Sequence, residues 1–298
     1  MPSSPDTRVS VVVIGYAPPE LLARCLAALR SQRRADAEVL VVAHVSHKGE
    51  SFAAVRAQFA DMDWIDAPPD HNVARLRGLG IARSRAPVVA LLEGDCVPAP
   101  DWLERLTAVT PASALGGAIE PSDFARAIDW AAFFAEFAPF MAPLPAAPEQ
   151  LPGTNVVYRR SALPDPAKLE AEGMYETFVN AAIASGGPLA SDSALVVLHQ
   201  RTWRVGDVLS TRYNHGRGFG GLRLRGQSFV KRVPYMAISL ALPALLIVRV
   251  LRDVFSRSKY NARAIVALPW IVVLSLCWAF GEFMGYAAGP GTSLEKWR

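Results

Sequence analysis

A chain of 298 residues, 51% of them hydrophobic and with a positive mean hydropathy, is large enough for one substantial core or two modest ones, and is too apolar to be wholly soluble. The net charge of +4 comes without any nucleic-acid-binding motif or array of aromatics, which argues against nucleic acid as a partner. Cys25, Cys96 and Cys277 show neither disulfide-framework nor metal-ligand spacing, and residues 1–8 are short and polar with no secretory signal, so a reducing, cytoplasmic setting is expected.

From residue 9 to about 197, short β-branched runs alternate with helical periodicity, predicting a mostly parallel sheet covered by helices. Strands are predicted at 9–14, 38–42, 63–66, 88–92, 115–119 and 194–199. Between the first two, Leu21, Leu22, Cys25, Leu26 and Leu29 recur as one buried helical stripe, with Arg24 and Arg30 left for solvent.

The run 88–102 is the most informative. A buried-type strand ends in Glu93 and Asp95, then turns through Pro98 and Pro100 into a helix beginning near Trp102. Carboxylates at the C-terminal end of such a strand face a ligand crevice. Two acids one residue apart suit a divalent cation held against a diphosphate; they equally suit the cap of the turn and helix that follow.

Residues 121–152 break the alternation. Trp130, Phe133, Phe134, Phe137 and Phe140 read as a helix, and Pro143, Pro145, Pro148 and Pro152 as a loop over the sheet's edge. Core packing is the commoner use of such aromatics, contact with an acceptor or membrane the rarer one.

Residues 201–232 hold Arg201, Arg204, Arg212, Arg217, Arg223, Arg225, Lys231 and Arg232 against Asp207 alone. This basic belt suits anionic lipid headgroups or a phosphorylated ligand, and its glycines would permit movement. Two uncharged stretches follow at 233–248 and 264–281, about 16 and 18 residues against the ~20 of a straight spanning helix. The linker carries Arg249, Arg252, Arg257, Lys259 and Arg263 against Asp253. A hairpin with both ends inside would place these cations outside, against the usual bias, whereas re-entrant or interfacial helices would not. Membrane attachment by some route is the first expectation, a two-pass hairpin the second and a buried helical pair the third.

Over roughly residues 8–232 the chain resembles the family-2 glycosyltransferases of the GT-A fold, bacterial membrane-associated members in particular. The matching pieces are the strand at 9–14, Arg77-Gly78-Leu79-Gly80-Ile81-Ala82, Glu93-Gly94-Asp95-Cys96-Val97-Pro98 with Trp102, Gly153-Thr154-Asn155-Val156-Val157-Tyr158-Arg159-Arg160 and Tyr175-Glu176-Thr177. The resemblance implies an α/β catalytic domain over 1–200, a basic juxtamembrane segment over 201–232, and two membrane-associated helices with a short tail over 233–298.

The resemblance also implies site roles. Asp95, with Glu93 in place of the motif's first acid and His199 as a third ligand, would hold Mn²⁺ or Mg²⁺ against the donor diphosphate. Ile14, Tyr16, His44, Arg77, Gly94 and Asp95 would line the donor site, with Ser46 a further candidate for the base. Glu176 would be the general base, although a first-turn Glu that complements the helix dipole is the common local reading. Asn155, Arg201, Trp203, Arg204 and Arg212 would approach the acceptor or a phosphate. The implied reaction is inverting transfer of a sugar from a nucleotide-diphosphate donor to a lipid-linked or glycan acceptor at the inner membrane, with the catalytic domain facing the cytoplasm.

Three positions depart from the family pattern. Ala43 stands where an Asp commonly contacts the base, Gly78 where an Asn follows the Arg, and Gly94 where a further acid often sits. Ala43 and Gly94 favour the alternative, a weak or inactive relative that serves as a nucleotide-binding or membrane scaffold, whereas Asp95, Glu176 and His199 oppose it. A dinucleotide-dependent oxidoreductase is set aside for want of a Gly-x-Gly-x-x-Gly turn after the first strand.

Overall fold

The computed structural model describes residues 7–44, 49–108 and 111–296. Strand β1 (Val9–Gly15) is buried along its entire length, as expected of a valine run without alternation, which marks a strand covered on both faces. It pairs in parallel with β2 (Ala37–His44) on one side and β4 (Val88–Glu93) on the other, and β2 pairs in parallel with β3 (Asp63–Ala67).

Helices α1 (Pro19–Ser31), α2 (Glu50–Gln58) and α3 (Val73–Arg83) connect these strands. Helix α1 starts with proline in its first turn, where no N–H is needed, and buries Leu22, Cys25, Leu26 and Leu29 of the expected stripe. Helix α3 is capped by Asn72, whose side chain accepts from the Arg75 N–H.

The remaining strands are β5 (Cys96–Pro98), β6 (Ala114–Pro121), β7 (Val156–Arg159) and β8 (Ala190–His199), in the sheet order β3-β2-β1-β4-β7-β6-β8-β5. β6 and β8 are parallel; β7 runs antiparallel to both β4 and β6, and β5 antiparallel to β8. All six predicted strands are present and the sheet is mostly parallel. β5 and β7 are additions: at three and four residues they are too short to show a period. Helices α4 (Trp102–Ala108), α6 (Pro166–Glu172) and α7 (Glu176–Ala184) complete this part.

Two compact units result. The sheet unit comprises Met1–Ser122 and Phe140–Arg201, and the helical unit Asp123–Pro139 and Thr202–Arg298. The helical unit contains α5 (Ala127–Phe137), α8 (Val205–Arg223), α9 (Phe229–Phe255) and α10 (Asn261–Ala288). In α5, Trp130, Phe133, Phe134 and Phe137 are buried; they stack on one another, and the Trp130 ring lies 5.3 Å from that of Tyr260. Packing is therefore their use.

Two glycines of the basic belt, Gly216 and Gly220, are not hinges. Gly216 and Gly220 of α8 face Gly281 and Gly285 of α10, where an added Cβ would lie 2.2 Å from the Trp278 carbonyl oxygen, 2.6 Å from that of Glu282, 2.2 Å from that of Tyr213 and 2.4 Å from that of Arg217, respectively. Small residues four apart on both helices let the backbones touch, so the expected mobility gives way to a tight crossing.

Candidate active site

The crevice is set by topology. From β1 the chain moves to β2 and β3 on one side, then returns to β4 on the other, and the carboxyl ends of strands at such a reversal form a ligand cleft. Tyr16 follows β1, His44 ends β2, Glu93 ends β4 and Asp95 lies two residues beyond. The Tyr16 and His44 rings meet edge to face with centroids 6.2 Å apart.

Asp95 and His199, distant in sequence, are brought together because β5 folds back onto the end of β8, pairing Cys96 with His199. The Gln200 N–H donates to the Asp95 carbonyl at 2.9 Å. His199 Nε2 lies 3.8 Å and Arg201 Nη1 3.6 Å from Asp95 Oδ2. Asp95 is buried. Burial, aided by Arg201, depresses the His199 pKa against the pull of Asp95, so the neutral imidazole is favoured. Burial and then Asp95 push the adjacent Cys96 thiol far up, which keeps it protonated and unreactive.

A second cluster centres on Arg77. Its Nη1 donates to Glu176 Oε2 at 2.5 Å and its Nη2 to Glu93 Oε1, so one guanidinium, 7% exposed, joins residues 93 and 176. Burial would lower the Arg77 pKa, but Glu176 and Glu93 outweigh it and raise it. Burial also holds the Glu93 carboxyl above its ordinary range despite Arg77.

The backbone is shaped around this contact. A Cβ on Gly153 would fall 2.6 Å from Arg77 Nη2, and the next residue, Thr154, accepts from the Glu93 N–H at 2.8 Å. Glu176 reaches Arg77 because the Met174 N–H donates to the Ala74 carbonyl at 2.7 Å, pinning the turn before α7 onto α3. As the sequence suggested, α7 begins at Glu176.

The other expected site residues separate. The Ile14 side chain belongs to the core, and its carbonyl accepts from the Gly94 N–H. His44 and Tyr16 stay at the crevice; Ser46 lies outside the described residues. Asn155 is fully buried and committed: its Nδ2 donates to the Ala118 and Leu195 carbonyls at 2.7 and 2.8 Å, and its Oδ1 accepts from Trp102 Nε1 at 2.8 Å. Its amide is thus consumed in joining β6, β8 and α4.

Trp203, Arg204 and Arg212 belong to the helical unit. The Trp203 N–H donates to Asp129 and its carbonyl accepts from Arg126, while Arg204 is exposed at the cap of α8. Arg212 is buried, with its guanidinium 4.6 Å from the Trp278 ring centre and donating to the Ala135 carbonyl at 3.3 Å.

Two departures from the family pattern have steric causes. A side chain on Gly78 would sit 1.9 Å from the Leu169 carbonyl oxygen of α6, and one on Gly94 would sit 2.8 Å from Leu22 Cδ1 and 3.0 Å from the Ile14 carbonyl oxygen.

Among the described residues no three His, Cys, Asp or Glu side chains form a ready metal cage. None is needed where substrate phosphates and water complete the shell, since such sites use only one or two protein carboxylates. Asp95 with neutral His199 fits that arrangement, and the nitrogen donor suits Mn²⁺ better than Mg²⁺. Glu93 is drawn away from it by Arg77.

Residues 10–112 match the model for Glycosyl transferase family 2. Glycosyltransferase AglE of Haloferax volcanii is 33% identical over 101 residues, covering 33% of this chain and 33% of that protein, so the chain matches about a third of the relative's length. Among solved structures, the mannosyltransferase PcManGT from Pyrobaculum calidifontis, in complex with GDP-Man and Mn²⁺, aligns with a TM-score of 0.55 at 15% identity over 94% of this chain and 89% of that one. S. aureus TarS 1–349 in complex with UDP-GlcNAc gives 0.48 at 10% identity over 93% and 91%. The PcManGT likeness speaks for the fold, the GT-A arrangement that the motifs implied.

Proposed function

We propose, from the premise that residues 10–112 belong to glycosyl transferase family 2, that the chain is an inverting, divalent-metal-dependent glycosyltransferase. It takes a nucleotide-diphosphate sugar as donor and a lipid-linked or glycan acceptor at a membrane. The observation that carries this reading is the convergence of Asp95, His199 and Arg201 beside the crevice, together with Glu93 and Glu176 on one guanidinium.

Asp95 and His199 would hold Mn²⁺ or Mg²⁺, which neutralises charge on the departing diphosphate. Arg201, a fork of donors beside Asp95, is suited to a diphosphate oxygen. Arg77 engages Oε2 of Glu176, leaving Oε1 to take the proton of the acceptor hydroxyl as that oxygen attacks the anomeric carbon from the face opposite the diphosphate. His44 and Tyr16 would face the donor's nucleoside end. That PcManGT was solved with GDP-Man and Mn²⁺ supports a nucleotide-sugar donor and a divalent ion here. The two long apolar helices support a membrane location, which we place at the inner membrane with the sheet unit in the cytoplasm.

The test is turnover across a panel of nucleotide sugars with Mn²⁺ and Mg²⁺, comparing native protein with Asp95→Ala and Glu176→Gln. Transfer by the native chain that both substitutions lower by about 10²-fold or more is expected. A second reading, a non-catalytic nucleotide-binding scaffold, is favoured by Ala43, which offers the base no side-chain partner. Nucleotide binding without turnover on any donor would select it.

A further inference from the structure

The helical unit leaves a surface that its own elements do not cover. Only Ser239, Val250 and Val254 of the 27 residues of α9 are buried, while Val230, Ile238, Leu240 and Val248 are each more than 60% exposed. On α10 the buried residues Ala264, Ala267, Ile271, Leu274, Glu282 and Gly285 form one stripe along the whole helix, and Ile265, Val266, Leu276 and Phe280 are exposed away from it. An apolar face of this extent marks an interaction surface.

We propose that the α9–α10 hairpin does not cross the bilayer but lies along one leaflet of an anionic membrane, with α10 resting on α5 and α8 and the bare face of α9 sunk among the acyl chains. The proposal deepens, and rests on, the membrane reading given above.

Both ends of α10 are tied to polar groups of segments unable to cross. At its start, Arg263 pairs with Asp123 at 3.3 Å, and just before it Arg257 donates to the Pro139 carbonyl at 3.0 Å. At its finish, Arg217 Nε donates to the Gly289 carbonyl at 3.1 Å, and Arg223 donates to the Tyr286 hydroxyl at 3.4 Å. A 28-residue helix is about 42 Å long, so in a crossing hairpin these two sets would lie on opposite sides of the hydrocarbon.

The segment 123–139 would then have to cross and return, and the 11 residues of α5 reach only about 16 Å against the ~30 Å of hydrocarbon. Alternatively α8, with Asp207, Arg212, Asn214 and Arg217, would be immersed, and such groups are costly there. Laid flat, the unit avoids both penalties.

Charge complementarity points the same way. Lys231 and Arg232 stand at one end of α9, and Arg249, Arg252, Arg257 and Lys259 at the other. Lengthwise insertion would send one of these groups to the far side, against the positive-inside bias. In the plane, both groups meet headgroups of the same leaflet, each near-surface cation contributing about 1 kcal/mol with anionic lipid.

The experiment adds full-length protein to preformed vesicles of phosphatidylcholine with or without phosphatidylglycerol. After flotation, a membrane-impermeant maleimide is applied to Ser256→Cys, in the α9–α10 loop, and to Thr292→Cys, beyond α10. Both positions are exposed, and the unsubstituted chain controls for Cys25, Cys96 and Cys277. We expect flotation at least tenfold weaker without phosphatidylglycerol, and equal labelling of the two cysteines from outside. Flotation with Thr292→Cys labelled and Ser256→Cys protected until detergent is added would establish a crossing hairpin and overturn the proposal while sparing the membrane reading. Failure to float, with the chain dimeric in solution through α9, would remove both.

Discussion

In the sheet unit one large apolar side chain among the described residues, Leu198, is exposed, whereas Phe229, Val230, Val233, Ile238, Leu240, Leu245, Val248 and several more are exposed in the helical unit. Both units bury charge, the helical unit at Asp129, Arg212 and Glu282, but the sheet unit gathers Arg77, Asp95 and His199 near the carboxyl ends of β4 and β8. Buried charge is expensive unless it is paired, and exposed apolar surface is idle unless something covers it. Each unit departs from ordinary burial where the proposed function puts a ligand: one would keep charges dry for a polar substrate, the other would keep apolar groups bare for lipid.

The contrast is broken most directly at Glu176. Glu176→Gln preserves the shape of the cleft and a hydrogen bond to Arg77 while removing the base, so kcat should fall by about 10² to 10⁴ with donor affinity unchanged. Single-turnover transfer beside nucleotide titration checks this, and unchanged kcat would dismiss the base assignment. Arg77→Ala comes next. It strands Glu93 and Glu176 without their cation, and removing one partner of a buried pair costs about 3–5 kcal/mol. Chemical denaturation should show this loss, with Glu93→Gln milder because it leaves Arg77 paired to Glu176. Asp95→Ala should reduce turnover by about 10² to 10³, the scale of losing one preorganised electrostatic contact. It should also make donor binding indifferent to EDTA, which weakens binding to the native chain; isothermal titration with and without chelator separates these outcomes.

The sequence made some of this visible and hid the rest. The mainly apolar runs of β1, β2 and β4 announced buried parallel strands, and the turn before Glu176 announced the start of α7, because each signal is local. Arg77 reads locally as one more motif residue. Its partners lie 16 and 99 positions away, and the only hint is a cation among Val73, Ala74, Leu76 and Leu79 on the buried side of α3, which demands acids nearby. Asn155 is opaque for the converse reason: a polar side chain in a family motif suggests a ligand, and nothing local reveals that the irregular join of β6 and β8 between Gly117 and Ala118 takes up its amide. Gly216 and Gly220 of α8 read as freedom because the backbone that would strike an added Cβ belongs to another helix.

The smallest effect is also the sharpest test of the contrast, because it applies one chemical change in both units. Leu26 is fully buried in α1, and Leu240 is 74% exposed on α9. Leu26→Ala removes packed atoms and leaves a cavity, so folding stability should drop by about 2–5 kcal/mol. Leu240→Ala takes little from the folded protein's own contacts and should leave the denaturation midpoint of the detergent-solubilised chain where it was. Its methyl groups matter only when acyl chains surround them, at about 0.8 kcal/mol per carbon removed if fully immersed. A Leu to Ala change in a face that is partly sunk should therefore weaken vesicle partitioning roughly tenfold, about 1.4 kcal/mol. If Leu240→Ala lowers the denaturation midpoint as much as Leu26→Ala while partitioning stays fixed, α9 packs against protein, and the two units follow a single burial rule.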